Sequence, residues 1–107
     1  IYVADSRYSQ VLVFDDFGLH LKTIGADDLE EPAAVAVDND NRIWVTDRKL
    51  GILYCYDKRG NELFRWSGEG SYLLRQPRGL FIDPDGLIYI VNSGASQILV
   101  LKPLSGK

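Results

Sequence analysis

Ile43-Trp44-Val45-Thr46-Asp47 repeats Ile1-Tyr2-Val3-Ala4-Asp5 after 42 residues, and Ile88-Tyr89-Ile90-Val91-Asn92 repeats it again after 45. Each run is short, rich in β-branched and aromatic residues, and closed by Asp or Asn. That is strand chemistry ending in turn chemistry. A unit that returns at this interval marks a repeat architecture.

The correspondence extends outward from these strands. Val11-Leu12-Val13-Phe14-Asp15 becomes Leu53-Tyr54-Cys55-Tyr56-Asp57, and then Ile98-Leu99-Val100-Leu101-Lys102. Pro32-Ala33-Ala34-Val35-Ala36-Val37-Asp38 becomes Pro77-Arg78-Gly79-Leu80-Phe81-Ile82-Asp83. The longer second interval has its extra length in Ser67-Gly68-Glu69-Gly70-Ser71-Tyr72, where its counterpart around Gly25 is tighter. Runs about ten residues apart are the spacing of consecutive antiparallel strands. Several are apolar at nearly every position, as in strands covered on both faces. Within one unit the pattern predicts strands over Val35–Asp38, Arg42–Asp47, Ile52–Asp57 and Glu62–Ser67. Asn39-Asp40-Asn41, Asp57-Lys58-Arg59-Gly60 and Pro84-Asp85-Gly86 supply the turns. No stretch has sustained helical periodicity.

Four strands in ~40–45 residues is the period of a β-propeller blade. The expected fold is therefore all-β, a β-propeller segment of four-stranded antiparallel blades over 1–107. Residues 1–31 read as an incomplete blade, 32–76 as a complete one and 77–107 as incomplete, about two and a half blades in all. This phase leads us to expect a longer ring. Its remaining blades would come from the same longer chain or from other copies.

Pro77-Arg78-Gly79-Leu80-Phe81-Ile82-Asp83, followed by Gly86-Leu87-Ile88-Tyr89-Ile90-Val91-Asn92, resembles the NHL repeat. That family's pattern runs Pro-x-Gly-Ile-Ala-Val-Asp, then Gly-x-Ile-Tyr-Val-Ala-Asp, then an apolar strand. Ile1–Asp5 and Val11–Asp15 resemble it too, and Ala34 and Asn92 depart from it. Trp44-Val45-Thr46-Asp47 is also similar to YWTD-type propeller repeats, which rank second because of the Pro-x-Gly motif. The NHL resemblance implies a six-bladed ring whose loop face takes protein or peptide partners, with RNA ranking behind them. It also implies an alternative. Related propellers include peptide-amidating lyases and resemble lactonases that hold a metal at the channel mouth. The lactonase-like pattern puts Asn between Pro and Gly, where this chain has Ala33 and Arg78.

Composition is that of an ordinary globular segment, 46% hydrophobic and 25% charged. No apolar run approaches the ~20 residues of a membrane span, so no membrane insertion is expected. The net charge of −3 argues mildly against a nucleic-acid surface. Localisation is not indicated.

No catalytic or metal-binding constellation stands out. The Asp residues at positions 5, 15, 38, 47, 57 and 83 recur in every unit. Turn chemistry predicts that recurrence, whereas a reaction needs its residues once. Asp27, Asp28, Glu30 and Glu31 lack the EF-hand spacing and read as a solvated loop. His20 is the only histidine and Cys55 the only cysteine; the first reads as surface, the second as buried. No cofactor is evident, and a Ca²⁺ or Zn²⁺ would need ligands from the rest of a ring. The residues that do not repeat are the binding candidates: Arg7, Tyr8, Arg48, Lys49, Tyr72, Arg75 and Arg78. All fall in loops after second strands or between units. Arginine and aromatic residues dominate interface energetics and also contact single-stranded RNA. The expected function is a binding or scaffold module, against a propeller enzyme, an RNA binder or a purely structural segment.

Overall fold

The computed structural model describes residues 1–102. Among them are ten strands in three antiparallel sheets. The first sheet contains β1 (Tyr2–Asp5), β2 (Gln10–Phe14) and β3 (His20–Ile24). The second contains β4 (Pro32–Val37), β5 (Ile43–Asp47), β6 (Ile52–Tyr56) and β7 (Glu62–Trp66). The third contains β8 (Pro77–Ile82), β9 (Ile88–Asn92) and β10 (Gln97–Leu101). Every strand pairs with its sequence neighbour, so each sheet is a meander.

The second sheet begins earlier than its residue pattern suggests. Its first strand starts at Pro32, not Val35, because a register shift between Pro32 and Ala34 bulges out Ala33. The third sheet repeats this shift between Pro77 and Gly79, bulging out Arg78. Pro can open a strand because its missing N–H costs no ladder bond there. Among the described residues, helical structure is confined to single 3₁₀ turns at Gly70–Tyr72 and Ser93–Ala95.

The recurrent Asp residues close the turns. Asp15, Asp38, Asp57 and Asp83 each accept two backbone N–H bonds through Oδ1, from the residues two and four positions on. All eight of these bonds measure 2.9 Å. Such side-chain acceptors replace the ladder where the chain reverses. In the Asp57 turn, Gly60 sits at φ 94°, where a side chain is strained.

The sheets stack face to face through two apolar cores. Alternation along β5 and β6 divides their side chains between the two cores. Ile43, Val45, Tyr54 and Tyr56 face the first sheet and meet Val11, Val13 and Ile24. Trp44, Leu53 and Cys55 face the third and meet Ile88, Ile90 and Leu99. This double cover explains why β5 is buried at every position. Leu29 and Leu74 lie in the connectors between sheets, 45 residues apart, and each plugs one core.

Candidate functional site

In each meander the loop after the second strand and the connector to the next sheet lie on one side. The turns after first and third strands lie on the other. Asp47 fixes the first side. It is fully buried, and Oδ2 accepts the N–H groups of Glu30 (2.7 Å) and Glu31 (3.1 Å) from the incoming connector. Oδ1 accepts those of Lys49 (3.1 Å) and Leu50 (2.9 Å) from its own loop. One carboxylate thus pins two loops together.

The third sheet makes the same join with Asn92. Its partners are not all donors, which accounts for the change from Asp. Oδ1 accepts from Arg75 N at 2.7 Å, while Nδ2 donates to Leu73 O at 3.0 Å and Gln97 Oε1 at 3.1 Å. Only an amide can do both.

This scaffold builds a polar pocket of about 250 Å³ at the loop ends of the first strands. Its lining includes Ser6, Glu31, Ala33, Arg48 and Arg78. Arg48 forms a salt bridge with Glu31, and its N–H donates to the Glu31 carbonyl at 2.9 Å. Arg78 is exposed on the bulge of β8 and has no ion-pair partner among the described residues. Its carbonyl accepts from Thr46 Oγ1 at 3.3 Å, which ties the bulge to the second sheet.

The other expected residues lie around this pocket or away from it. Lys49 is beside it and pairs with Glu30 at 3.4 Å. Arg7 and Tyr8 project from the β1–β2 loop, with the guanidinium 5.5 Å from the ring centroid. Arg75 contributes backbone, its N–H to Asn92 and its carbonyl to Gly94 N at 2.7 Å. Tyr72 lies apart, in a groove of about 400 Å³ with Trp66, Glu69 and the strand from Ile98 to Leu101. A neighbouring apolar cavity of about 220 Å³ is lined by Trp44, Phe64, Trp66 and Leu101. Reading the chain for charge overlooks this groove. The signal for it lies in Trp66, a large aromatic on an outermost strand that lines both the groove and the cavity, with Phe64 beside it in the cavity.

The remaining reactive groups have structural settings. Glu30 and Glu31 are drawn into ion pairs, so the acidic loop is only partly a free surface. His20 is exposed, with Nε2 near Lys22 O and Thr23 Oγ1. Cys55 is fully buried, and burial pushes its thiol pKa up to about 12. No group of three His, Cys, Asp or Glu side chains suited to a metal occurs among the described residues.

No family model matches the chain, and no curated protein matches it. Among solved structures it is similar to virginiamycin B lyase from Staphylococcus aureus, a β-propeller, with a TM-score of 0.65 at 14% identity. The match covers 99% of this chain and 38% of that one, so the chain spans well under half of that protein. At this identity the likeness shows the fold, and the three stacked sheets are β-propeller blades.

Proposed function

We propose that this chain is a recognition segment of an NHL-type, six-bladed propeller whose loop face receives an acidic stretch of a protein or peptide partner. The observation supporting this reading is that Arg48 and Arg78 line one pocket, with Arg78 unpaired among the described residues. A guanidinium fork matches a carboxylate in shape and charge, and a half-neutralised pair leaves net positive character to receive one. Arg78 occupies the bulge where the second sheet carries Ala33, so this cation belongs to a single place in the repeat. Glu31 holds Arg48 in position, which leaves the Arg78 fork to take a carboxylate of the partner.

The test is fluorescence anisotropy with a short fluorescein-labelled Glu-rich peptide. Arg78→Glu should weaken binding at least about tenfold, equivalent to ~1.4 kcal/mol. Arg59→Glu, on the opposite side of the sheets, should leave it unchanged. Equal binding by the wild type and Arg78→Glu overturns the reading. Stronger binding of oligo(U) RNA than of the peptide would favour the RNA alternative.

A further inference from the structure

Thr46 and Arg78 meet across the second and third sheets, where Thr46 Oγ1 donates to the Arg78 carbonyl at 3.3 Å. One unit earlier, 42 residues before Thr46 and 45 before Arg78, stand Ala4 and Ala33. They hold the same place between the first and second sheets, with Ala33 on the equivalent bulge. Alanine has neither the hydroxyl that ties one wall to the other nor the bulk that fills the gap. Both alanines line the polar pocket of about 250 Å³. The pocket is therefore room left at one junction by side chains that the next junction possesses.

The same break in the repeat supplies the charge. Arg48 stands where the neighbouring sheets carry Ser6 and Ser93, and Arg78 stands where the second sheet carries Ala33. Small residues thus open the space, and cations found at no equivalent position border it. We infer that this pocket is a socket for one acidic side chain, which a partner inserts between the first and second sheets. Ala4 and Ala33 set its room, and Thr46 positions Arg78. The inference rests on the carboxylate-receiving role proposed above for the loop face and deepens it: a single residue enters, and an acidic stretch is not simply laid across the surface.

Size and polarity agree with that occupant. Pockets for drug-sized ligands start at ~300 Å³ and are mostly apolar. This one is smaller, and it is lined by Ser6, Glu31 and two arginines. Arg48 is engaged by Glu31, so the Arg78 fork meets the incoming carboxylate, and the Ser6 hydroxyl is a further donor in the lining. Thr46 is fully buried, and its bond fixes the bulge from which Arg78 projects. A side chain that starts from a fixed backbone loses less freedom when it binds.

The test is fluorescence anisotropy with three labelled peptides of equal length. The first is Glu-rich, and the second has glutamine in place of every glutamate but one; both are amidated at the C-terminus. The third has glutamine throughout and a free C-terminal carboxylate. The single-Glu peptide should bind the wild type within about fivefold of the Glu-rich one, the advantage of merely offering several glutamates. Ala33→Leu and Ala4→Val fill the socket from opposite walls and remove no cation; each should weaken binding of both amidated peptides at least about fivefold. Thr46→Val should weaken it about threefold, and Thr46→Ser should keep wild-type affinity. Binding that is lost in Arg78→Glu but kept in Ala33→Leu and Ala4→Val overturns the socket and leaves the carboxylate-receiving face standing. A larger loss with the single-Glu peptide does the same, and that comparison needs the wild type alone, so it decides the matter even if the filled variants do not fold. Preference for the third peptide overturns a side chain as the occupant. A wild type that binds none of the peptides overturns the proposed function and the socket with it.

Discussion

The indole Nε1–H of Trp44 donates to Asp38 Oδ2 at 2.9 Å, and the Tyr89 hydroxyl donates to Asp83 Oδ2 at 3.2 Å, 45 residues on. The repeat therefore conserves a tie between an aromatic of the second strand and the carboxylate that closes the preceding turn. In the second sheet Arg42 adds a charged bond, Nε to Asp38 Oδ2 at 2.7 Å. Burial works to raise the Asp38 pKa. The bonds from Trp44, from the Arg42 backbone and side chain, and from Asp40 N outweigh it and hold the pKa below its usual 3.8.

A carboxylate depressed in the folded state stabilises the fold above its unfolded pKa, and the gain disappears as pH falls through the folded value. For Asp38 that window lies below about 3.8. Asp38→Asn should cost on the order of 1–3 kcal/mol at neutral pH, because the Trp44 and Arg42 donors lose their acceptor. Urea midpoints at pH 7 and pH 3 should show the gap between wild type and variant narrowing in acid. A gap that is constant with pH would mean that the carboxylate charge contributes nothing.

The join at Asn92 yields a second prediction. Asn92→Asp restores the repeat's commoner residue yet turns a carboxylate oxygen toward the Leu73 carbonyl and Gln97 Oε1. The side chain is fully buried, so this loss is not relieved by water. The cost should be about 2–3 kcal/mol in urea denaturation at pH 7, shrinking in acid as the carboxyl regains a proton to donate. A variant as stable as wild type would show that Nδ2 donates nothing of consequence.

The same contrast shows what sequence could and could not reveal. Strand positions and the division of β5 and β6 between two cores follow from period and alternation, which are local properties. The grouping of Arg48 with Arg78 does not. It depends on Asp47 capturing Glu30 and Glu31, on the bulge at Arg78, and on Thr46 anchoring that bulge across sheets. Tyr72 shares a loop with Arg75 and Arg78 in sequence, but a 3₁₀ turn directs it to a separate groove. Gly68 makes that turn possible: at φ 77°, a Cβ there would collide with the Tyr72 carbonyl.

Cys55 offers a probe of the contact between second and third sheets. Its thiol is fully buried and is driven far above the range in which thiolate forms at neutral pH. Labelling by a thiol-reactive disulfide at pH 8 should be on the order of a thousandfold slower in buffer than in strong urea, since reaction requires opening of the core. Rapid labelling of the folded chain would mean that the third sheet does not stay docked.

Tyr56 makes the opposite kind of prediction from the polar joins. Its ring completes the first core, but its hydroxyl is buried with no hydrogen-bond partner among the described residues. Burial, followed by nearby Asp28, pushes the phenol pKa upward, so it stays neutral and still lacks an acceptor. Tyr54, two residues earlier, differs because its hydroxyl donates to the Asp28 carbonyl at 3.3 Å. Removing an unsatisfied buried polar atom relieves its desolvation cost and keeps the ring. Tyr56→Phe should therefore leave stability unchanged or raise it by up to about 1 kcal/mol, while Tyr54→Phe should lower it by about 0.5–1.5 kcal/mol. Urea denaturation of both variants checks the pair. A loss at Tyr56 equal to that at Tyr54 would indicate that its hydroxyl has a partner in solution.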